Sequence, residues 1–213
     1  MISEEKKIEI YYDHYKDTFQ YQIKYLENRN RYFLSSLVLV TLLFFVIVEP
    51  NVSKEINESY LKIHLDKTIK IDFAYFNHFL LFSLMWVLIL YFQSTLTIEK
   101  NYKYINILED GLTKEMSPLI ISREGKFYSG EKPFFVKAIG YVYKYLYPLS
   151  IVTSIFFKLV FEIKEYHYGQ LKIQNLIIDI FLCLLIIFIT SKYVRWQYQN
   201  KRIREKNKIA KVK

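Results

Sequence analysis

The sequence predicts an all-α membrane protein: four transmembrane helices with long cytoplasmic helical extensions and candidate small β-hairpins in two loops. Three observations predict it. Hydrophobic residues make up 52% of the 213 positions and are pooled into four long blocks, while the charged 24% lie mostly between them. That segregation excludes a disordered chain and argues against a water-soluble globule. Lysine and arginine gather in alternate connections, as they do around membrane spans. Only five Gly and four Pro occur, so little interrupts a helix, and collagen-like or low-complexity chains are excluded. The single cysteine, Cys183, excludes an intramolecular disulfide and a cysteine-based metal site. A net charge of +9 points to anionic partners: lipid headgroups, nucleic acid or nucleotides.

Each element follows from the chain in order. A span takes roughly 20 apolar residues, with a range of about 17–25. Residues 32–48 form the first, free of charge, with Tyr32 and Phe33 suited to an interfacial start. Residues 73–92 form the second, also uncharged, with Asn77 and His78 near its beginning. The third, residues 139–161, carries Lys144 and Lys158 near opposite ends and Pro148 inside. The fourth, residues 176–194, has Asp179 near its start and Lys192 near its end. A cleavable signal peptide is not expected, because the polar and charged residues 1–31 precede the first block.

Charge orients the spans. Residues 1–31, 93–138 and 192–213 hold 22 of the 30 Lys and Arg, against 7 in residues 49–72 and 158–174. The excess lies on the cytoplasmic side of membrane proteins, so both termini and the middle connection are expected there. The chain then divides into three regions. Residues 1–31 are a cytoplasmic amphipathic helix continuous with the first span. Residues 32–194 are the four-span domain with a cytoplasmic insertion at 93–138. Residues 195–213 are a basic tail.

The extensions read as helices. Ile8, Tyr12, Tyr15, Phe19, Ile23 and Leu26 recur at a mean of 3.6 residues, and no Pro occurs before Pro50. This stripe either packs on its own protein or lies in the membrane interface; alternating acids and bases favour packing. The second span continues its stripe through Leu96, Ile98, Tyr102, Ile105 and Leu108, and Asp110-Gly111 is expected to stop it. Residues 120–129 around Glu124-Gly125, and the alternating stretch Tyr60–Ile71, are the candidate hairpins. The two halves show no repeat, which gives no support to an inverted-repeat transporter.

Polar residues inside a bilayer are costly, at roughly 2.5–3.5 kcal/mol for a central charge, so each one is a candidate. Lys144 lies one turn inside the third span, where it either snorkels to the interface or marks a path. Lys158 and Asp179 start at similar depth on consecutive antiparallel spans; they form either an ion pair or the charged mouth of a pore. Asn77 and His78 are either interfacial or ion-coordinating. The hydroxyls of Ser35, Ser36, Thr41, Ser83, Thr153 and Ser154 can bond back to their own helix. The bilayer centre is nearly free of charge, which disfavours an ion-coupled pump but not a channel closed by an apolar constriction.

On the cytoplasmic side Arg29 and Arg31 precede the first span. Arg123 and Lys126 stand beside Phe127 and Tyr128, and Arg195 leads the tail beside Trp196 and Tyr198. Arginine near an aromatic ring suits an oligonucleotide: charge for the phosphate, a ring face for the base. Juxtamembrane bases also set topology and bind anionic lipid. The candidate ligand-binding set is Arg29, Arg31, Arg123, Lys126, Tyr128 and Arg195. The candidate intramembrane set is Asn77, His78, Lys144, Lys158 and Asp179. No Gly-rich phosphate loop, His-Glu-x-x-His or Gly-x-Ser-x-Gly occurs. The four histidines share no ligand spacing. An enzyme, a metal site and a cofactor are therefore not expected.

Three strings carry a resemblance. His14-Tyr15-Lys16-Asp17-Thr18-Phe19 is followed by Arg29-Asn30-Arg31-Tyr32-Phe33 entering a span, and Ile121-Ser122-Arg123-Glu124-Gly125-Lys126-Phe127-Tyr128 precedes the third span. Over residues 8–195 the chain resembles four-helix membrane proteins of bacterial antiviral defence islands. These include the nucleotide-gated effectors of Pycsar type and the Hailong membrane effector paired with a nucleotidyltransferase, with the Kiwa membrane sensor a looser match. The resemblance implies a homo-oligomeric, channel-like effector of the bacterial inner membrane, a tetramer for preference. A nucleotide or short oligonucleotide would gate it, and ion flux would arrest growth in abortive infection. It implies Arg29, Arg31, Arg123 and Tyr128 as ligand or assembly residues. The alternative is a non-conducting membrane sensor or scaffold that recruits a cytoplasmic effector.

Overall fold

A computed structural model describes residues 3–49, 51–53, 55, 56, 59, 73–116, 134–169 and 171–212. The candidate hairpins Tyr60–Ile71 and 120–129 lie outside these residues. Among the described residues every regular element is a helix, and four are long and apolar enough to cross a membrane. The protein is an all-α, multi-pass membrane protein.

Helix α1 spans Glu4–Val48 and α2 spans Phe73–Glu115. The short α3, Phe134–Tyr141, passes into a π-helical turn at Val142–Leu146 and then into α4, Tyr147–His167. Helix α5 spans Ile173–Val212. The described residues fall into two compact parts, one drawn from 1–33 and 90–140, the other from 34–89 and 141–213.

The first part is an antiparallel pair. Ser3 caps α1, accepting the Lys6 amide at its hydroxyl (3.3 Å), and Glu4 and Glu5 face the positive end of the helix dipole. Four contacts then run in one register. Lys7 pairs with Glu115, Tyr11 lies on Gly111, the Gln22 amide reaches the Ile98 carbonyl (3.5 Å), and Phe33 meets Tyr91 with ring centroids 6.4 Å apart. As α1 advances from residue 7 to 33, its partner on α2 falls from 115 to 91. That is about 40 Å of continuous helix pairing at 1.5 Å per residue. The α2 side of the seam is Tyr91, Ile98, Ile105 and Leu112, all buried and seven residues apart. This is the heptad spacing that keeps one face toward a partner helix.

Gly111 departs from expectation. It does not end α2, which continues to Glu115. A Cβ on Gly111 would lie 3.1 Å from the Tyr11 ring. The missing side chain is used for close approach rather than for a helix stop.

The second part holds the apolar windows of the spans. Leu81, Leu84 and Leu88 of α2, Ile151 and Ile155 of α4, and Cys183 and Ile186 of α5 are completely or almost completely buried. Leu37, Val38, Phe82, Trp86, Phe156, Phe181 and Phe188 are exposed on the other faces. In a bilayer those faces meet lipid tails, which solvate them as well as a core would. Ser36 differs from the other span hydroxyls. Thr41, Thr153 and Ser154 bond back to Leu37, Leu149 and Ser150, but Ser36 bonds the Tyr147 hydroxyl and so ties α1 to α4.

Pro148 explains the π-helical turn. Proline has no N–H to give to the carbonyl four residues back, at Lys144. The Tyr147 amide bonds Val142, five residues back, and the turn widens by one residue there. Gly169 explains the reversal between α4 and α5. It adopts φ 72°, the left-handed conformation that closes a helix C-terminus, and its amide bonds the Tyr166 carbonyl (3.0 Å).

Candidate functional site

Three helices bring five polar side chains together inside the second part. Helix α2 supplies Asn77 and His78 from its first two turns. Helix α4 supplies Lys158 and Glu162, four residues apart and therefore on one face. Helix α5 supplies Asp179. Lys158 and Asp179 are each 1% exposed and Glu162 is 4% exposed, so three formal charges are withdrawn from water.

The geometry centres on two carboxylates. The Lys158 ammonium pairs with Glu162 Oε1 and lies 3.4 Å from Asp179 Oδ2. The Asn77 amide nitrogen donates to the same two oxygens, at 2.9 Å to Glu162 Oε1 and 3.2 Å to Asp179 Oδ2. His78 Nδ1 lies 2.7 Å from the remaining Asp179 oxygen, Oδ1. The edge of Tyr75 packs near the His78 ring at 6.2 Å between centroids. Asp179 thus has donors at both oxygens. Glu162 has donors at one.

Depth follows from helix rise. Asp179 lies six residues inside α5, about 9 Å from its start, and Glu162 lies five residues before the end of α4. The cluster therefore sits at the α4–α5-turn end of the apolar stretches, with Lys158 and Asp179 inside the third and fourth spans and Glu162 one residue beyond the third. A buried ion pair of this kind gains its Coulomb energy against a large desolvation cost, and here the surrounding hydrogen bonds meet only part of the polar inventory: both Asp179 oxygens and Glu162 Oε1 have donors.

Four of the five intramembrane residues singled out from the sequence meet here: Asn77, His78, Lys158 and Asp179. Lys144 does not. It is half-buried on the π-helical turn, 14 residues before Lys158 and about 20 Å away along the helix. Glu162 is not in the sequence-derived set, because the apolar stretch of the third span ends at Phe161. Its four-residue spacing from Lys158 was the available signal.

Of the basic residues, Arg29 is half-buried on α1 and donates to the Asn30 side chain (3.1 Å), and Arg31 is exposed on the same helix. Arg195 is exposed on α5. Arg123, Lys126 and Tyr128 lie outside the described residues. Among the described residues no three His, Cys, Asp or Glu side chains are placed to hold a metal ion. Comparison with protein-family models, curated proteins and solved structures finds no match.

Proposed function

We propose that this chain is a channel-like membrane effector that works as a homo-oligomer, a tetramer for preference. The observation that carries this reading is the Lys158–Glu162–Asp179 cluster buried among the spanning helices at the α4–α5-turn end. Ionisable groups within spans are expensive, and they commonly mark ion or proton paths. Packing supports the oligomer. Leu81, Leu84, Leu88, Ile151, Ile155 and Ile186 fill the interior of the spanning part, leaving no room for a column of water within one bundle. A conducting path would then lie between copies, which cyclic symmetry would line with identical helices.

The setting rests on the resemblance and on charge. The Lys and Arg excess favours cytoplasmic termini in a bacterial inner membrane. The antiviral resemblance favours gating by a nucleotide or short oligonucleotide, made by a partner nucleotidyltransferase and bound at Arg29, Arg31, Arg123, Lys126, Tyr128 and Arg195. Such a ligand gates only through different affinities for closed and open states. Opening would let ions flow and arrest growth.

The test is ion flux from proteoliposomes holding the purified chain, with and without short oligoadenylates, alongside a voltage-sensitive dye in expressing bacteria. Flux that responds to the ligand, and binding weakened by Arg123→Glu or Arg195→Glu, is the expected result. Verified insertion with no flux under either condition would sink the channel reading. It would leave the non-conducting sensor that recruits a cytoplasmic effector, a reading favoured by the internal pairing of the same charges.

A further inference from the structure

Counted over the described residues and with His78 neutral, the buried cluster is one positive charge short. Two carboxylates, Glu162 and Asp179, face one ammonium, Lys158, and a neutral His78 adds nothing. Its hydrogen bonding shows a matching deficit. Glu162 Oε2, Asn77 Oδ1 and His78 Nε2 are buried with no hydrogen-bond partner among the described residues. With Nδ1 donating to Asp179, the Nε2 of a neutral His78 is an acceptor. The leftover inventory is three acceptors and no donor.

Among the described residues the neighbours do not supply the missing charge. On α4, Glu165 also lies in the field of Lys158 and adds a further carboxylate. On α5, Cys183, one turn beyond Asp179, is completely buried and carries no positive charge. On α1, the side chains beside Lys158 are the apolar Val40, Leu43, Phe44 and Ile47, with Leu84 of α2 and Ser154 and Ile155 of α4 completing that wall. On α2, the groups facing the cluster are Asn77, His78 and the ring of Tyr75.

We propose that the cluster is a proton-binding site, which takes up one proton from the aqueous phase on the side of the α4–α5 turn and holds it on Glu162. Asp179 has donors at both oxygens, whereas Glu162 Oε2 has none. The Asn77 amide and the Lys158 ammonium each contact Glu162 Oε1 and Asp179 Oδ2, so the two carboxyls are neighbours, and a direct bond between them requires a proton. Protonating His78 instead would leave a buried Nε2–H with no acceptor and Glu162 Oε2 still unmet. With the proton in place the cluster is neutral and α2, α4 and α5 are held together through it. Without it, one uncompensated negative charge remains buried among the spanning helices, and the three helices are pushed toward a second arrangement that admits water. The site deepens the channel reading by giving the membrane domain a ligand of its own, distinct from any nucleotide.

The test is infrared spectroscopy of the full-length protein in lipid nanodiscs, titrated from mildly acidic to mildly alkaline pH. The carbonyl stretch of a protonated, slowly deuterating carboxylic acid is expected in the unsubstituted protein, to be lost as pH rises. Glu162→Gln should remove it, and His78→Gln should retain it. Thermal stability should fall with rising pH over the same interval, while Glu162→Gln, an isostere of the protonated acid, should be flat across it. The absence of the band at every pH where the protein is folded would overturn the proposal, as would its persistence in Glu162→Gln. Stability in Glu162→Gln that still falls with the same profile would do so as well. Neither readout needs conduction, so failure here leaves the channel reading standing, and a non-conducting protein leaves the proton site standing.

Discussion

Lys158 Nζ lies 3.4 Å from Asp179 Oδ2 on α5 while pairing more closely with Glu162 on its own helix. One ammonium thus serves two carboxylates and joins two consecutive spans. Lys158→Met strands both acids and should cost about 3–5 kcal/mol. Lys158→Met combined with Asp179→Asn and Glu162→Gln removes every formal charge and should regain most of that loss. Thermal unfolding of the detergent-solubilised protein measures both. Strictly additive losses across the three substitutions would show that the charges do not act as a unit.

The seam between α1 and α2 tolerates little bulk at residue 111. Gly111→Ala places a methyl 3.1 Å from the Tyr11 ring, and the better helix propensity of Ala offsets that crowding. A small net change is expected. Gly111→Leu should lower stability by about 1–3 kcal/mol through overpacking. Combining it with Tyr11→Ala should restore part of the loss. A Gly111→Leu protein as stable as the original would sink the close-packing account.

The Ser36–Tyr147 bond joins α1 to α4 where both residues are buried. Tyr147→Phe keeps the ring and removes the hydroxyl, at an expected cost of about 1 kcal/mol. A double-mutant cycle with Ser36→Ala should show coupling. Independent effects would mean that the hydroxyl contact contributes nothing.

Gly169 adopts a left-handed backbone at the α4–α5 turn, which L-residues occupy at a cost of roughly 1–2 kcal/mol. Gly169→Ala should destabilise by about that amount, and Gly169→Asn by less, because Asn tolerates the conformation better. The open space around its Cβ position removes a steric explanation. Equal stability for the Ala and Gly proteins would contradict the backbone argument.

Much of this was legible residue by residue. Hydropathy is a property of a single segment, so the spans stand out in the chain without reference to their neighbours. The cost of burying charge is equally local, and it marked Asn77, His78, Lys158 and Asp179 before their positions were known. Glu162 escaped because a boundary drawn from hydropathy ends where charge begins, although helix packing can draw a carboxylate one turn further in. Gly111 was misread for a related reason. A glycine after Asp110 has the signature of a helix end, and only the ring of Tyr11, a hundred residues away in the chain, shows why a glycine stands in mid-helix.

The amino-acid sequence by itself determined an all-α membrane protein with four spanning helices, because apolar length and the scarcity of Gly and Pro act within each segment. The tertiary structure decided which polar groups meet. Whether Asp179 faces Lys158 or lipid depends on the rotation of α5 about its axis and on which helix stands beside it. Both are set by how the helices bury residues such as Leu81, Leu84, Ile151, Ile155 and Ile186, a many-body fit that no single segment contains.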